Sequence, residues 1–256
     1  MNSSSSKAAI VTGAKVRHCA GDIGRPATAI GLVNHDFSQR VVVTPGEYHW
    51  VASPQHGVDR VMLDRVGKEQ GHATSIVRYA PASHFPRHHH PGGEEILVLA
   101  GTFTEGTHHY PAGWYLRNPP GSSHQPSSDE GTLLFVKLWQ MYGGGPDAVR
   151  IDTRDPSCWV VQGGRETCPL FADHAEHVSI ERVAARMQLL DNPVGGVELL
   201  VLDGTLYEGA QQYARGTWLR LPPGECPALV SGSAGATVYL KSGHLAGAPL
   251  NEAAAC

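Results

Sequence analysis

The chain has 256 residues, 41% hydrophobic and 17% charged, with a formal net charge of −4. That is enough apolar sequence for one large domain or two small ones. The balance supplies no basic stripe for phosphates or anionic lipids, and no apolar run approaches the ~20 residues of a membrane span, so neither nucleic acid nor a membrane is an expected partner.

Residues 1–39 are rich in Ser, Gly and Ala with weak periodicity. They read as an N-terminal arm, disordered over Met1–Lys7 and packed on the body beyond it. Met1–Lys7 lacks the charged and apolar regions of a signal peptide. The five cysteines (Cys19, Cys158, Cys168, Cys226 and Cys256) are odd in number and include no C-x-x-C pair. They fit neither a disulfide framework nor a zinc ribbon, and a reducing, cytoplasmic compartment is the simpler reading.

From Arg40 the pattern becomes β. Val41–Val43, Ala73–Tyr79, Glu95–Leu99, Gly113–Arg117 and Leu133–Leu138 are short apolar runs bounded by Gly, Pro, Asn, Asp and Ser. The 30 glycines and 18 prolines suit many short strands joined by turns. Val178–Leu190 is the best helix candidate, but its place in an internal repeat makes it strand.

That repeat aligns Gly92–Thr102 with Gly195–Thr205 and Gly113–Gly121 with Gly216–Gly224, in one unbroken register. It predicts two β-rich units, residues 40–145 and 146–256, joined near Gly143-Gly144-Gly145-Pro146.

Pro86-Arg87-His88-His89-His90-Pro91-Gly92-Gly93-Glu94-Glu95 and, further on, Pro119-Pro120-Gly121-Ser122-Ser123-His124 carry the chemistry. On a strand His88 and His90 share a face while His89 points away. The Pro-Gly-Gly turn lets Glu94 bend back toward the same centre, and His124 follows a second turn. Three imidazoles and a carboxylate are a donor set for one divalent metal ion. A histidine triplet alone also fits a solvated surface cluster. Yet in the second copy His88, His90, Glu94 and His124 become Asp191, Pro193, Val197 and Pro227, while glycines and apolar strand residues are kept. Surface histidines have no reason to vanish as a set. Glu95 persists as Glu198 in the metal-less copy, so Glu94 is the expected ligand.

The remaining histidines stand singly and read as solvated or capped, and His108 and His109 as surface loop. His84, Arg78, Tyr115 and Arg117 are candidates for the pocket around the site, where a neutral or cationic group would suit an anionic, oxygen-rich substrate. No G-x-S-x-G, P-loop or G-x-G-x-x-G is present to support acyl-enzyme or nucleotide chemistry.

These motifs resemble those of the cupin superfamily. His88, His90, Glu94 and Gly101 match the spacing of its first motif, and Gly113, Pro119, Gly121 and His124 that of its second. An Asn usual in the second motif is here Ser128. The run Phe85–Leu99, with Arg117–Gly121 and Phe135–Leu138, is similar to the ChrR-type subgroup, named for the C-terminal domain of a zinc-binding anti-sigma factor. That factor's separate His/Cys zinc motif has no counterpart here, so its partner binding is not carried over.

The resemblance implies an all-β fold of two tandem jelly-roll barrels, a bicupin with a metal site in the first barrel only. Fe(II) is the favoured ion, with Zn(II), Mn(II) and Ni(II) compatible. The leading expectation is a non-haem Fe(II) dioxygenase cleaving a C–C bond of a small oxygenated organic substrate. The alternatives are a redox-silent isomerase, lyase or hydrolase, and a non-enzymatic metal-bound sensory or binding module. A homodimer is compatible with the family.

Overall fold

A computed structural model describes residues 31–68, 70–141, 148–191 and 195–246. The expected disorder of Met1–Lys7 and the linker Gly143–Pro146 lie outside the described residues. The first half contains β1 (Leu32–Val33), β2 (Val41–Val43), β3 (Val51–Ala52), β4 (Val58–Val66), β5 (His72–Tyr79), β6 (Ser83–His84) and β7 (His88–His90). It continues with β8 (Glu94–Glu105), β9 (His108–Pro111), β10 (Trp114–Asn118), β11 (Ser122–His124), β12 (Pro126–Ser128) and β13 (Thr132–Leu138). The second half contains β14 (Val149–Asp152), β15 (Val160–Gln162), β16 (Arg165–Ala172), β17 (His177–Val183), β18 (Val197–Glu208), β19 (Gln211–Ala214), β20 (Trp218–Leu221) and β21 (Val230–Ser242). Helix among the described residues is confined to the 3₁₀ turns Pro45–Glu47 and Pro156–Cys158. The Val178–Leu190 segment is strand over most of its first half, as the repeat requires.

The strands form two large antiparallel sheets, β1-β4-β5-β13-β8-β10-β14 and β15-β16-β17-β21-β18-β20-β2. A separate ribbon pairs β7 with β11. Strand for strand, β4, β5, β13, β8 and β10 correspond to β16, β17, β21, β18 and β20. The paired glycines of the repeat do the same work in each sheet. A Cβ on Gly101 would lie 2.0 Å from the Gly131 carbonyl oxygen, and one on Gly204 2.4 Å from that of Gly235. Both have positive φ, 67° and 70°, so only glycine permits this crossing of chains.

The ends of the units are exchanged. β2, at the start of the first repeat, pairs with β20 through Val41–Arg220, Val42–Leu219 and Val43–Trp218. β14, its counterpart at the start of the second repeat, pairs with β10. Each sheet therefore takes one strand from the other half: β2 of the first half joins the second sheet, and β14 of the second half joins the first. Periodicity marks a strand but carries no information on which distant edge it will join.

Packing of one sheet on the other explains why β8 and β18 read as apolar runs rather than alternating ones. Ile96 and Val98 of β8 pack inside the first unit with Phe103, Leu116 and Leu134. Leu97, on the opposite face, joins Leu200, Trp218, Tyr239, Phe135 and Ile180 in a core between the sheets. Both faces are covered, so both are apolar.

Buried charges stitch that interface. Lys137 Nζ of β13 donates to Glu198 Oε1 of β18 at 2.6 Å, and Lys241 Nζ of β21 donates to Glu95 Oε2 of β8 at 3.0 Å. These are equivalent pairs crossing in opposite directions. Arg117 adds Glu95 at 3.2 Å and Glu176 at 2.5 Å, and Arg220 adds Asp64 at 3.2 Å. Burial alone would raise Glu95, but Lys241 and Arg117 hold its carboxyl below the usual range. Ions removed from water this way fix one docking of the sheets, because any shift leaves a charge uncompensated.

Candidate metal centre

The ribbon β7–β11 builds the site. Two-residue alternation puts His88 and His90 on one face of β7, and the pairing of His124 with His88 brings the third ring opposite. The Nε2 atoms of His90 and His124 are 2.9 Å apart, and those of His124 and His88 3.1 Å. The rings meet edge-on, with centroids 4.6–4.8 Å apart. Glu94 opens β8 after the Pro91–Gly93 turn, and its Oε2 lies 3.4 Å from His90 Nε2 and 3.6 Å from His124 Nε2. His90, Glu94 and His124 are buried, and His88 stands at the open side.

Neighbouring groups fix how the donors point. His88 Nδ1–H donates to the Pro86 carbonyl oxygen at 3.1 Å. His124 Nδ1–H donates to Glu105 Oε1 at 2.6 Å. Each bond holds a proton on Nδ1 and leaves the Nε2 lone pair aimed at the common centre, the tautomer a metal-ligating imidazole needs. Arg150 donates to Glu105 Oε2 at 2.9 Å and to Asn118 Oδ1 at 2.6 Å, and Asn118 Nδ2 donates to Glu94 Oε2 at 3.1 Å. Arg150 belongs to the exchanged strand β14, so the second half braces the site of the first.

The electrostatics follow from burial and these partners. Burial, with His124 beside it, pushes His90 down to about 4. Burial would also lower His124, but its bond to Glu105 outweighs this and raises it. Burial raises the Glu94 carboxyl against the pull of His124 and Asn118. Burial would raise Glu105 too, yet His124 and Arg150 hold it low. Three convergent lone pairs with an adjacent carboxylate fit a divalent metal ion, and the three histidines can hold one.

The other pocket candidates fall elsewhere. Tyr115 and Arg117 share the face of β10 that looks at the partner sheet, where Tyr115 is in the inter-sheet core and Arg117 in the ion network. His84 is exposed on β6. Arg78 is exposed too, paired with Asp59 at 2.8 Å and lying over Trp50. The residues actually around the site are Asn118, Glu105, Phe103 and Tyr79. Phe103 is 5.9 Å from the His124 ring, and burial, then Glu94 and Glu105, push the Tyr79 phenol above its ordinary range. Sequence reasoning missed Asn118, because only the pairing of β10 with β8 sets it opposite Glu94. It missed Glu105 too: the ladder slips at Leu133/Leu134, beside Leu99, and turns the rest of β8 over.

Among the remaining histidines, His244 is buried against Glu198 at 3.2 Å and His72 is 3.4 Å from Asp64, so neither is simply solvated. His108 and His109 are exposed but lie on strand β9 rather than in a loop. In the second half Leu189, Leu221 and Leu229, all fully buried, belong to its interior core. Asp191, the counterpart of His88, is exposed on the surface.

Residues 38–142 match the family described as the ChrR cupin-like domain, and the fold is that of solved cupin structures. The likeness of fold runs further along the chain. A candidate dioxygenase from Nostoc punctiforme shares 14% identity, over 83% of this chain and 86% of its own, with a TM-score of 0.66. The pirin YhhW of Escherichia coli, solved in complex with nickel(II), shares 13% over 80% and 98%, with a TM-score of 0.60. A salicylate 1,2-dioxygenase variant from Pseudoaminobacter salicylatoxidans, in complex with gentisate, shares 11% over 84% of each chain, at 0.59. No curated protein sequence matches the chain.

Proposed function

We propose that the chain is a metal-dependent oxidoreductase, a non-haem Fe(II) dioxygenase cleaving a C–C bond of a small oxygenated organic molecule. The observation that carries this is the spacing of the donors. At a metal–nitrogen bond of roughly 2.1 Å, atoms 2.9 and 3.1 Å apart subtend roughly 90°. The Glu94 oxygen is farther off, at 3.4 and 3.6 Å, so the donor set accepts Fe(II), Mn(II), Ni(II) and Zn(II), and Fe(II) is the ion of this proposal. His88, His90, His124 and Glu94 would hold the ion, and four protein ligands would leave it room for an exogenous oxygen donor. Neighbours bearing the dioxygenase name, one in complex with gentisate, support the same direction.

The metal, when bound, supplies Lewis acidity and one-electron chemistry toward dioxygen. The chain's own residues do the rest. Asn118 orients the Glu94 carboxylate, Glu105 and Arg150 hold the His124 ring, and Phe103 lines the wall. Tyr79, beside Phe103, offers a hydroxyl to a substrate oxygen. Oxygen uptake by tag-free, Fe(II)-reconstituted protein, screened with diketones and catechol-like compounds, tests the reading. Uptake that His90→Ala abolishes is expected; an inert Fe(II) form overturns it.

A second reading is favoured by Glu94 itself. Its Oε2 stands farther from the histidine nitrogens than they stand from one another, and its raised carboxyl suits a base. A redox-silent isomerase, lyase or hydrolase on a three-histidine site follows, and turnover under anaerobic conditions separates it from the first.

A further inference from the structure

A cleft of about 470 Å³ opens between the two sheets, away from the histidines. Its walls are supplied in matching pairs by the repeat: Leu97 and Leu99 with Leu200 and Leu202, and Ile76 with Ile180. Leu97 and Leu99 leave β8 on the face opposite Glu94 and Ile96, so the cleft and the metal centre lie on opposite sides of one strand. The size is that of a small-molecule site. Its wall hydroxyls are already engaged: Tyr48 donates to the Gly216 carbonyl oxygen, and Thr153 Oγ1 to that of Gly113 at 2.6 Å. The interior is therefore apolar in effect.

The charge at its rim is one-sided. Arg215 lines the cleft, is exposed, and enters no ion pair among the described residues. The repeat puts Ala112 at the matching position. Near Gly113, on the other side, the guanidinium of Arg154 is closed by Asp152 at 2.8 and 2.7 Å. An apolar slot with one free cation at one end selects a molecule with an apolar body and a single anionic head.

We propose that this cleft is a second ligand site, distinct from the metal centre, for an amphipathic monocarboxylate. Its apolar body lies between Leu97–Leu99 and Leu200–Leu202, and its carboxylate pairs with Arg215.

Calorimetric titration of the full-length protein with decanoate, and with decanol as the uncharged control, tests this. One decanoate per chain is expected, bound more tightly than decanol. Arg215→Ala, a surface change that leaves the core intact, is expected to weaken decanoate about tenfold and leave decanol unchanged. Leu202→Trp, which fills the slot, should remove both, while His90→Ala binds decanoate as the parent does. The proposal is overturned if the parent gives no binding, if Arg215→Ala leaves decanoate unaffected, or if His90→Ala removes it. The Arg215→Ala comparison decides the matter even if Leu202→Trp misfolds.

Discussion

Glu105 is not one of the four candidate ligands, yet its Oε1 accepts the Nδ1–H bond that points His124 Nε2 at the centre of the site. Glu105→Gln keeps the shape but weakens the acceptor, and such supporting groups are typically worth about 10–100-fold in metal affinity. Chelator competition on the loaded protein should read that loss while the unfolding midpoint moves little. The second half retains Glu208 and Tyr213, bridged by Arg40 as Glu105 and Tyr110 are by Arg150. The Arg–Glu–Tyr group is thus part of the scaffold in both units, and the first unit has added a histidine to it. Ser128, in place of the usual Asn, is buried and donates to the Thr102 carbonyl oxygen at 2.6 Å, a role in the turn and not at the site.

Among the elements, β8 carries the most meaning per residue. It presents Glu94 to the site and Glu95 to the partner sheet from adjacent positions, and the bulge near Leu99 then reverses its faces. Gly101 makes that reversal compatible with the crossing at Gly131. Gly101→Ala should therefore cost at least ~2 kcal/mol more than Gly121→Ala, whose added methyl meets nothing within 4 Å and bears only the penalty of a positive φ. Urea unfolding of the two variants measures the difference; equal losses would mean that the chains at Gly131 can part without cost. The ligand spacings on β7, β8 and β11 were legible because they depend on strand alternation and turn residues close in sequence. The pocket lining was not. Tyr115 and Arg117 differ from Leu116 and Asn118 only in parity, and parity has meaning only once the pairing of β10 with β8 is known.

At the scale of the whole molecule the two units are interdependent. Residues 31–141 expressed alone lack β14 and expose β2; residues 148–246 alone lack β2 and expose β14. Each should aggregate or fail to fold, and coexpression should recover a soluble pair, read by size-exclusion chromatography. The crossed ion pairs make the same point energetically. Lys137→Met removes the ammonium from buried Glu198, leaving only Trp218 and His244 on its carboxylate, and should cost about 3 kcal/mol, whereas exchanging both partners for apolar residues should cost less. Burial would raise Glu198, but Lys137 and His244 hold it well below its usual value. A carboxylate depressed in the folded state adds stability above its unfolded value of about 4.3, and that stability drains away as pH falls toward the folded value. Urea midpoints should therefore drop with acid below that point, and less steeply in the doubly apolar variant.

Much of this protein is written locally. The strand runs, the turn glycines, the repeat, and the histidines that vanish from its second copy are properties of neighbours in sequence, and they sufficed for an all-β fold and for His88, His90, Glu94 and His124 as one group. What only the tertiary structure decided is non-local. It set which edge β2 and β14 join, which face of β10 meets the site, that Arg150 of the second half braces the first, and that charged residues lie between the sheets. Alternation fixes the two faces of a strand from within the chain, but what each face meets depends on partners brought together by folding.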